Sequence, residues 1–166
     1  DFCLSRGLGD VYKRQEQYIE DMNQDGWNVR KVESTCEIAE SCDLIITATP
    51  SKKPLLKKES LKKGTHITAL GSDSPGKQEL EHDIFAKADL IVADSKLQCL
   101  ERGEIHHAIK HGIIEEDDVQ ELGSLISANE PIYRDEDQIT IADLTGVAVQ
   151  DIQIAKAVYE ECERIN

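Results

Sequence analysis

Aromatic side chains are scarce in this chain: two phenylalanines, one tryptophan and four tyrosines among 166 residues. Hydrophobic residues still make up 39%, so the core material is Ile, Leu, Val and Ala. That composition suits an α/β protein better than a β-sandwich. Basic residues are also few, 19 Lys and Arg against 33 Asp and Glu, a net charge of −14. The shortage argues against nonspecific binding to nucleic acid or to an anionic membrane, both of which need a basic face. No run of about eighteen apolar residues occurs, so no membrane span is expected, and no charged-then-apolar leader opens the chain. Cys3, Cys36, Cys42, Cys99 and Cys162 are odd in number and form no CxxC pair. Zinc and disulfide readings are therefore weak; free thiols in a reducing, cytoplasmic setting are expected. There is no internal repeat and no low-complexity segment. The length suffices for one domain with a proper core.

From Glu16 onward helical and strand patterns alternate. Residues 16–24 read as a helix stopped by Asp25-Gly26, and 27–32 alternate apolar and polar residues as a short strand does. A brief helix is expected over 35–41. Strands follow over 44–49 and 66–70, with a helical turn near 58–61 between them. Then come a helix over 78–88, a strand over 90–93, and a helix or helix pair over 96–110 interrupted at Gly103. A helix over 117–127, a last strand over 138–144 and a closing helix over 148–164 complete the chain. The closing helix carries an apolar stripe of Ile152, Ala155, Val158 and Tyr159. Strands alternating with helices imply a mainly parallel sheet covered on both faces. Residues 1–15 stand apart, with neither strand alternation nor a helical stripe, and read as a non-native or disordered leader.

The most informative segments are Cys42-Asp43-Leu44-Ile45-Ile46-Thr47-Ala48-Thr49-Pro50-Ser51 and His66-Ile67-Thr68-Ala69-Leu70-Gly71-Ser72-Asp73. Each is a buried strand that ends in small and polar residues, the transition found at the ligand-binding carboxyl ends of an open α/β sheet. The loop Gly71-Ser72-Asp73-Ser74-Pro75-Gly76-Lys77 combines two glycines with an acid and a base four residues apart. Its backbone can approach a ligand closely while it presents a carboxylate and an ammonium. An ordinary strand-to-helix turn capped by Asp73 or Ser74 explains the same residues.

Five pieces, in order, carry a resemblance to a known family: Thr47-Ala48-Thr49-Pro50-Ser51; Lys63-Gly64-Thr65-His66-Ile67; Gly71 through Leu80; Ala88-Asp89-Leu90-Ile91-Val92-Ala93-Asp94-Ser95; and Asp143-Leu144-Thr145-Gly146-Val147-Ala148-Val149-Gln150-Asp151. Together they resemble the ornithine cyclodeaminase/mu-crystallin family of nicotinamide-dependent enzymes; within it, the piece from Asp143 to Asp151 and Gly71-Ser72-Asp73 lean toward the ectoine-utilisation cyclodeaminases. The resemblance implies hydride abstraction from the α-carbon of an amino acid to NAD, with NADP left open, to give an imine. In a cyclodeaminase the side-chain amine then attacks, ammonia leaves and the hydride returns. Dehydrogenases and ketimine reductases share the scaffold, and mu-crystallin itself is a nucleotide- and hormone-binding protein. By this resemblance Asp73 is the catalytic acid–base; Thr47, Ala69, Leu70, Gly71, Ser72 and Lys77 contact the cofactor; Thr145 and Gly146 lie near the substrate. A solvent-exposed lysine at a helix start is the plainer account of Lys77. The family often has serine-valine before the glycine where this chain has Leu144-Thr145, which puts the substrate class in doubt. The implied partners are an amino-acid or imino-acid substrate and, in the full-length enzyme, a second copy in a homodimer.

The expected fold is thus α/β: a partial Rossmann-type, mainly parallel sheet with helices on both faces, lacking the first β-α-β unit. No strand, glycine-rich turn and second acidic strand precede Glu16. Residues 16–146 form the partial dinucleotide-binding domain and 147–166 the closing helix, as the carboxyl-terminal part of a larger enzyme. The 166-residue chain alone is accordingly expected neither to turn over substrate nor to bind NAD tightly, because the pyrophosphate normally rests on the glycine-rich helix start. Micromolar affinity by titration calorimetry on this chain would refute that expectation.

Other constellations are weaker. Gly7-Leu8-Gly9 has no preceding strand and no third glycine. His107 and His111 are four apart on an expected helix, but no carboxylate completes a metal motif, and no metal is expected. His66 fits a packing or hydrogen-bonding role. Glu115-Glu116-Asp117-Asp118 reads as a solvated helix start.

Overall fold

Two segments that follow the strand pattern only loosely decide how the loops of this fold are held. In the computed structural model, which describes residues 10–128, 131 and 133–165, they are β2 (Lys52–Leu56) and β4 (Gln78–Leu80), paired in parallel as a small separate ladder. The main sheet contains β1 (Leu44–Thr47), β3 (His66–Ala69), β7 (Thr140–Asp143), β5 (Leu90–Ala93) and β6 (Val119–Glu121), in that order. Every pairing in it is parallel. The protein is therefore a mixed α/β fold with a mainly parallel sheet. Ile67 and Ile141, on the neighbouring strands β3 and β7, are fully buried, and Ile45, Ala69, Ile91 and Ala93 extend the same aliphatic core.

Helices occupy the connections. Helix α1 (Asp10–Gln24) begins at Asp10 rather than Glu16. Residues 10–15 contain no glycine or proline to stop it, and Gln15 is buried. The first nine positions of the expected leader lie outside the described residues. Helix α2 (Thr35–Ser41) is capped by the Ser34 side chain accepting from the Glu37 amide, and it buries Ile38 and Ala39. Helices α3 (Lys96–Cys99) and α4 (Glu104–Lys110) are separated at Gly103, as expected.

Three expectations are corrected, and a fourth, the closing helix, holds with its apolar stripe in solvent. The strand over 27–32 reduces to a single bridge at Val29. Asn23 captures both backbone groups of Val29 through its side-chain amide, so no ladder forms. The helix over 78–88 is instead β4 followed by a 3-10 turn, His82–Lys87, with Ile84 and Phe85 buried. There Gln78 and Glu81 donate their amides to the Ser51 and Leu56 carbonyls, which draws the segment into a parallel pair with β2 instead of a helix. The helix over 117–127 is helical only as α5 (Leu122–Ser127). Before it, Val119–Glu121 pairs with β5 because β-branched Val119 buries in the core. Finally, α6 (Ala148–Ile165) forms, but its stripe stays exposed, Ile152 at 63% and Val158 at 56%. An amphipathic pattern fixes which face is apolar, not what covers it. Among the described residues no helix is long and apolar enough to cross a membrane.

Candidate functional site at the carboxyl edge of the sheet

The parallel register brings four strand ends to one level: Thr47 pairs with Ala69, Ala69 with Asp143, and Asp143 with Ala93. The loops that follow these residues form one edge, where an open parallel sheet binds its ligands. Thr47, Ala69 to Asp73, Lys77, Thr145 and Gly146 all lie at these strand ends or on the loops that follow them.

On β1 and β3 the geometry is specific. The Leu70 amide donates to the Thr47 carbonyl at 2.7 Å, the last rung before the two chains part. Thr47 is buried, and its hydroxyl has no hydrogen-bond partner among the described residues. It lines a groove of about 970 Å³ that runs along β1 past Trp27, Leu44, Ile46 and Thr49. Ala69 is buried and Leu70 half in solvent. Ser72 is turned inward, its hydroxyl donating to the Lys77 carbonyl at 2.7 Å. His107 Nε2 donates to the same carbonyl at 2.9 Å.

Asp73 stands out from this loop. Its side chain is 54% exposed, and Oδ1 lies 2.7 Å from Lys77 Nζ. The Lys77 hydrogen bond holds the Asp73 carboxyl below the usual carboxylate range, and Ser74 adds to the effect. The two residues that the resemblance assigns to different tasks, catalysis and cofactor contact, are therefore an ion pair. Expecting Asp73 at a strand tip was close: β3 ends at Ala69, and Asp73 sits on the loop beyond it.

Thr145 and Gly146 lie on the loop after β7. The Thr145 hydroxyl donates to Asp94 Oδ1 at 3.1 Å and the Gly146 amide to Asp94 Oδ2 at 2.8 Å. Together with Gln98, Arg102 and the start of α6 they line a second cleft, of about 460 Å³.

Sequence reasoning passed over the acids beneath this edge. Glu79, Glu104 and Asp143 are all buried, and each carboxylate accepts from backbone amides. Glu79 bonds to Thr49 and Gly71, Glu104 to Glu79 and Leu80, and Asp143 to Ile105 at the start of α4. Only Asp143 gave a signal, as an acid closing the largely apolar run Ile139-Thr140-Ile141-Ala142; Glu79 and Glu104 stand among polar neighbours. Burial pushes the Glu104 carboxyl up to about 7, with the nearby Glu79 charge adding to it. Burial likewise pushes Asp143 up to about 8, with the charges of Glu104 and Asp94 adding. The Cys99 thiol is raised by burial and by Asp143 and Asp94, which makes it inert rather than nucleophilic.

These shifts set a pH dependence. Folding favours the protonated forms of Glu104 and Asp143. The stability they contribute is full below their unfolded values near 4 and is lost as pH rises through about 7 and about 8. His66 and His107 are shifted down by burial, so they weaken the fold only below their ordinary value near 6.5. Between about pH 6.5 and 8.5 the carboxyls act alone, and stability should fall by roughly 2 kcal/mol. Melting temperatures across that window check this: a decline is expected, flattened in Glu104→Gln. A rise, or an unchanged slope in the variant, would remove the buried acids as its cause.

The other histidines take structural roles. His66 bridges Thr140 (2.6 Å) and Thr68 (3.1 Å) through their hydroxyls. His111 stacks on His82 with ring centroids 3.9 Å apart, so it does not share a ligand geometry with His107. Glu115 and Asp118 form a reciprocal cap around a 3-10 turn that leads into β6, so this exposed acidic run does not start the α-helix expected over 117–127.

With this geometry in hand, the comparisons become informative. The profile of the ornithine cyclodeaminase/mu-crystallin family matches residues 9–166. An alanine dehydrogenase of Archaeoglobus fulgidus is 44% identical over 125 residues, covering 75% of this chain and 38% of that protein. Among solved structures, an archaeal alanine dehydrogenase dimer with bound NAD superposes with a TM-score of 0.83 at 37% identity, over 93% of this chain and 48% of that one. The iminosuccinate reductase of Paracoccus denitrificans, solved with NAD+, gives 0.81 at 37% identity, over 90% and 45%. The chain spans less than half the length of each of these relatives.

Proposed function

Because the chain belongs to the ornithine cyclodeaminase/mu-crystallin family, we propose that the protein carrying it moves hydride between an amino acid's α-carbon and NAD, interconverting the amino acid and its imine. The carrying observation is the Asp73–Lys77 ion pair, set on the loop that follows β3 at the carboxyl edge of the parallel sheet. A titratable pair at that edge is placed for proton transfer beside a bound nucleotide.

The residues fit a dinucleotide. Thr47 offers a buried hydroxyl without a partner among the described residues, Leu70 an exposed apolar surface, and Lys77 an ammonium. Thr47, Ala69, Leu70, Gly71, Ser72 and Lys77 would hold the cofactor. Ser72 would act indirectly, by fixing the loop through the Lys77 carbonyl. NAD, when bound, supplies the hydride acceptor. Asp73 takes the proton released as the substrate amine becomes an imine. Its carboxyl lies below the usual range, so at neutral pH it is in the accepting form, and protonation must displace the Lys77 hydrogen bond. Thr145 and Gly146, tied down by Asp94, border the space for the substrate.

Dehydrogenation or imine reduction is the favoured form, since the relatives of 37% identity and more described above carry those names. Cyclodeamination shares the first step and differs in the fate of the imine; the likeness of the Gly71–Leu80 loop favours it as the second reading. The ectoine-utilisation branch stays within that reading. We take the active form to be a homodimer, as the archaeal neighbour is by its description.

Product analysis tests this. The active protein, given a panel of amino acids with NAD, is expected to form NADH together with an imine or its hydrolysed keto acid. Ammonia release without net NADH marks the cyclodeaminase. Tight NAD binding with no turnover of any amino or imino acid would overturn the proposal in favour of a mu-crystallin-like binding protein.

A further inference from the structure

Just beyond the last rung between β1 and β3, their two chains are joined again by one side chain. Glu79 is fully buried. Its Oε1 accepts the Thr49 amide at 2.5 Å, on the chain after β1, and its Oε2 accepts the Gly71 amide at 2.9 Å, on the chain after β3. We propose that Glu79 is a positioning residue: its carboxylate fixes the two cofactor-facing loops against each other and thereby aims Asp73, two residues beyond Gly71. The inference rests on the role given to Asp73 above.

Three further observations support it. First, Gly71 is shaped around this contact. A Cβ there would sit 2.5 Å from the Glu79 carboxyl and 2.2 Å from the Thr49 carbonyl oxygen, so the absence of a side chain at 71 is what admits the carboxylate. Second, Glu79 is itself anchored. Its amide donates to Glu104 Oε1 at 2.7 Å and the next amide, of Leu80, to Glu104 Oε2 at 3.0 Å. Glu104 and His107 lie three apart on α4, and His107 holds the Lys77 carbonyl at the far end of the loop. The Asp73 loop is thus gripped at its start through Glu79 and at its end through His107.

Third, the arrangement is an unfavourable way to achieve stability alone. Two carboxyl groups are buried side by side, and among the described residues neither has a cationic partner. Burying a carboxylate carries a desolvation cost that a neutral acceptor at the same place would avoid. A carboxylate, however, has two equivalent oxygens that accept diverging N–H bonds together; an amide of the same size offers one oxygen and directs an NH₂ group at the second donor. Strictly fixed loop geometry accounts for the choice, because a displacement of about 1 Å at a reacting group can lower the rate about 10²-fold.

The test crosses Glu79→Gln with Asp73→Asn in the active protein and follows amide exchange by NMR in the 166-residue chain. Glu79→Gln should accelerate exchange at Thr49 and Gly71 at least tenfold, while Ile67 and Ile141 keep their protection. It should lower kcat by roughly 10- to 100-fold with the amino-acid KM changed less than about threefold. In the Asp73→Asn background it should cost little further rate, since a residue that acts through Asp73 has nothing left to aim. Near-normal kcat in Glu79→Gln despite faster Gly71 exchange overturns the proposal. So does a loss that adds in full to that of Asp73→Asn, the signature of a purely structural role. If the Gln variant does not fold, Glu79→Asp takes its place: it keeps the carboxylate on a shorter arm, and an unchanged kcat there overturns the proposal too. Full activity in Asp73→Asn alone would instead sink the assignment of the site, leaving the clamp to be judged by exchange at Thr49 and Gly71.

Discussion

Asp73→Asn in the active protein is expected to lower kcat by roughly 10² to 10⁴, the usual loss when a positioned general base is removed. No other carboxylate on the 71–77 loop can substitute for it. Stability should change by no more than about 1 kcal/mol. The side chain is 54% exposed and its one ion pair, to Lys77, is at the surface, where such pairs contribute little. NAD(H) affinity should stay within a few fold. Thr47, Ala69 and the loop backbone are untouched, and Lys77, freed from its partner, remains a cation at the proposed nucleotide site. Steady-state rates, thermal melts and a fluorescence titration with NADH separate the three effects. Near-normal turnover would move the acid–base role elsewhere and leave Asp73 as a turn residue; a collapse in NADH affinity would make it a binding residue.

How much of this was legible in the sequence follows from what each segment's neighbours supply. Leu44–Thr47, His66–Ala69 and Leu90–Ala93 were readable as strands because short aliphatic runs between turn signals have few other uses. The strand ends were readable as the carboxyl edge of one sheet for the same reason. Lys52–Leu56 was not: it begins with two lysines and a proline, residues depleted in strands, and it pairs only because Gln78–Leu80 is brought alongside. The helix expected over 78–88 failed for a related cause. Local propensity favoured helix, but pairing with Lys52–Leu56, a contact distant in sequence, holds Gln78–Leu80 extended.

The candidate site divides the same way. Asp73, Lys77 and the strand-end residues announced themselves through glycine, small and polar residues after an apolar run. Glu79 and Glu104 did not, because they stand among polar neighbours, and Asp94 and Asp143, each at the end of an apolar run, read equally well as solvated strand ends. Only their backbone partners, supplied by chain 30 to 52 residues distant in sequence in the cases of Glu79 to Thr49, Asp143 to Ile105 and Asp94 to Gly146, show that they hold the edge together.

Gly103→Ala should be the most damaging small substitution in this part of the molecule. Gly103 sits between α3 and α4 at φ 93° and ψ −176°, a region that side-chain-bearing residues essentially do not enter and that costs on the order of 1–3 kcal/mol. Strain is only half the effect. An added Cβ would lie 2.6 Å from Asp143 Oδ2 and 2.8 Å from Thr145 Cγ2. Neither neighbour yields easily: Oδ2 is held by the Ile105 amide at 2.8 Å, and Thr145 is buried with its hydroxyl on Asp94. Moving Asp143 would strand a buried carboxyl, and breaking such a contact costs a further 1–3 kcal/mol or so. A total loss of about 3 kcal/mol or more is therefore expected in urea unfolding. Gly123→Ala is the control. Gly123 lies inside α5, and an added methyl group there would meet nothing within 4 Å, so alanine should be neutral or stabilising by up to about 1 kcal/mol. Equal losses at the two positions would show that the packing around Asp143 is looser than its hydrogen bonds imply. A large loss confined to Gly103 would mean that the Asp143–Thr145 turn, and with it the floor of the proposed substrate space, is fixed by the helix start beneath it.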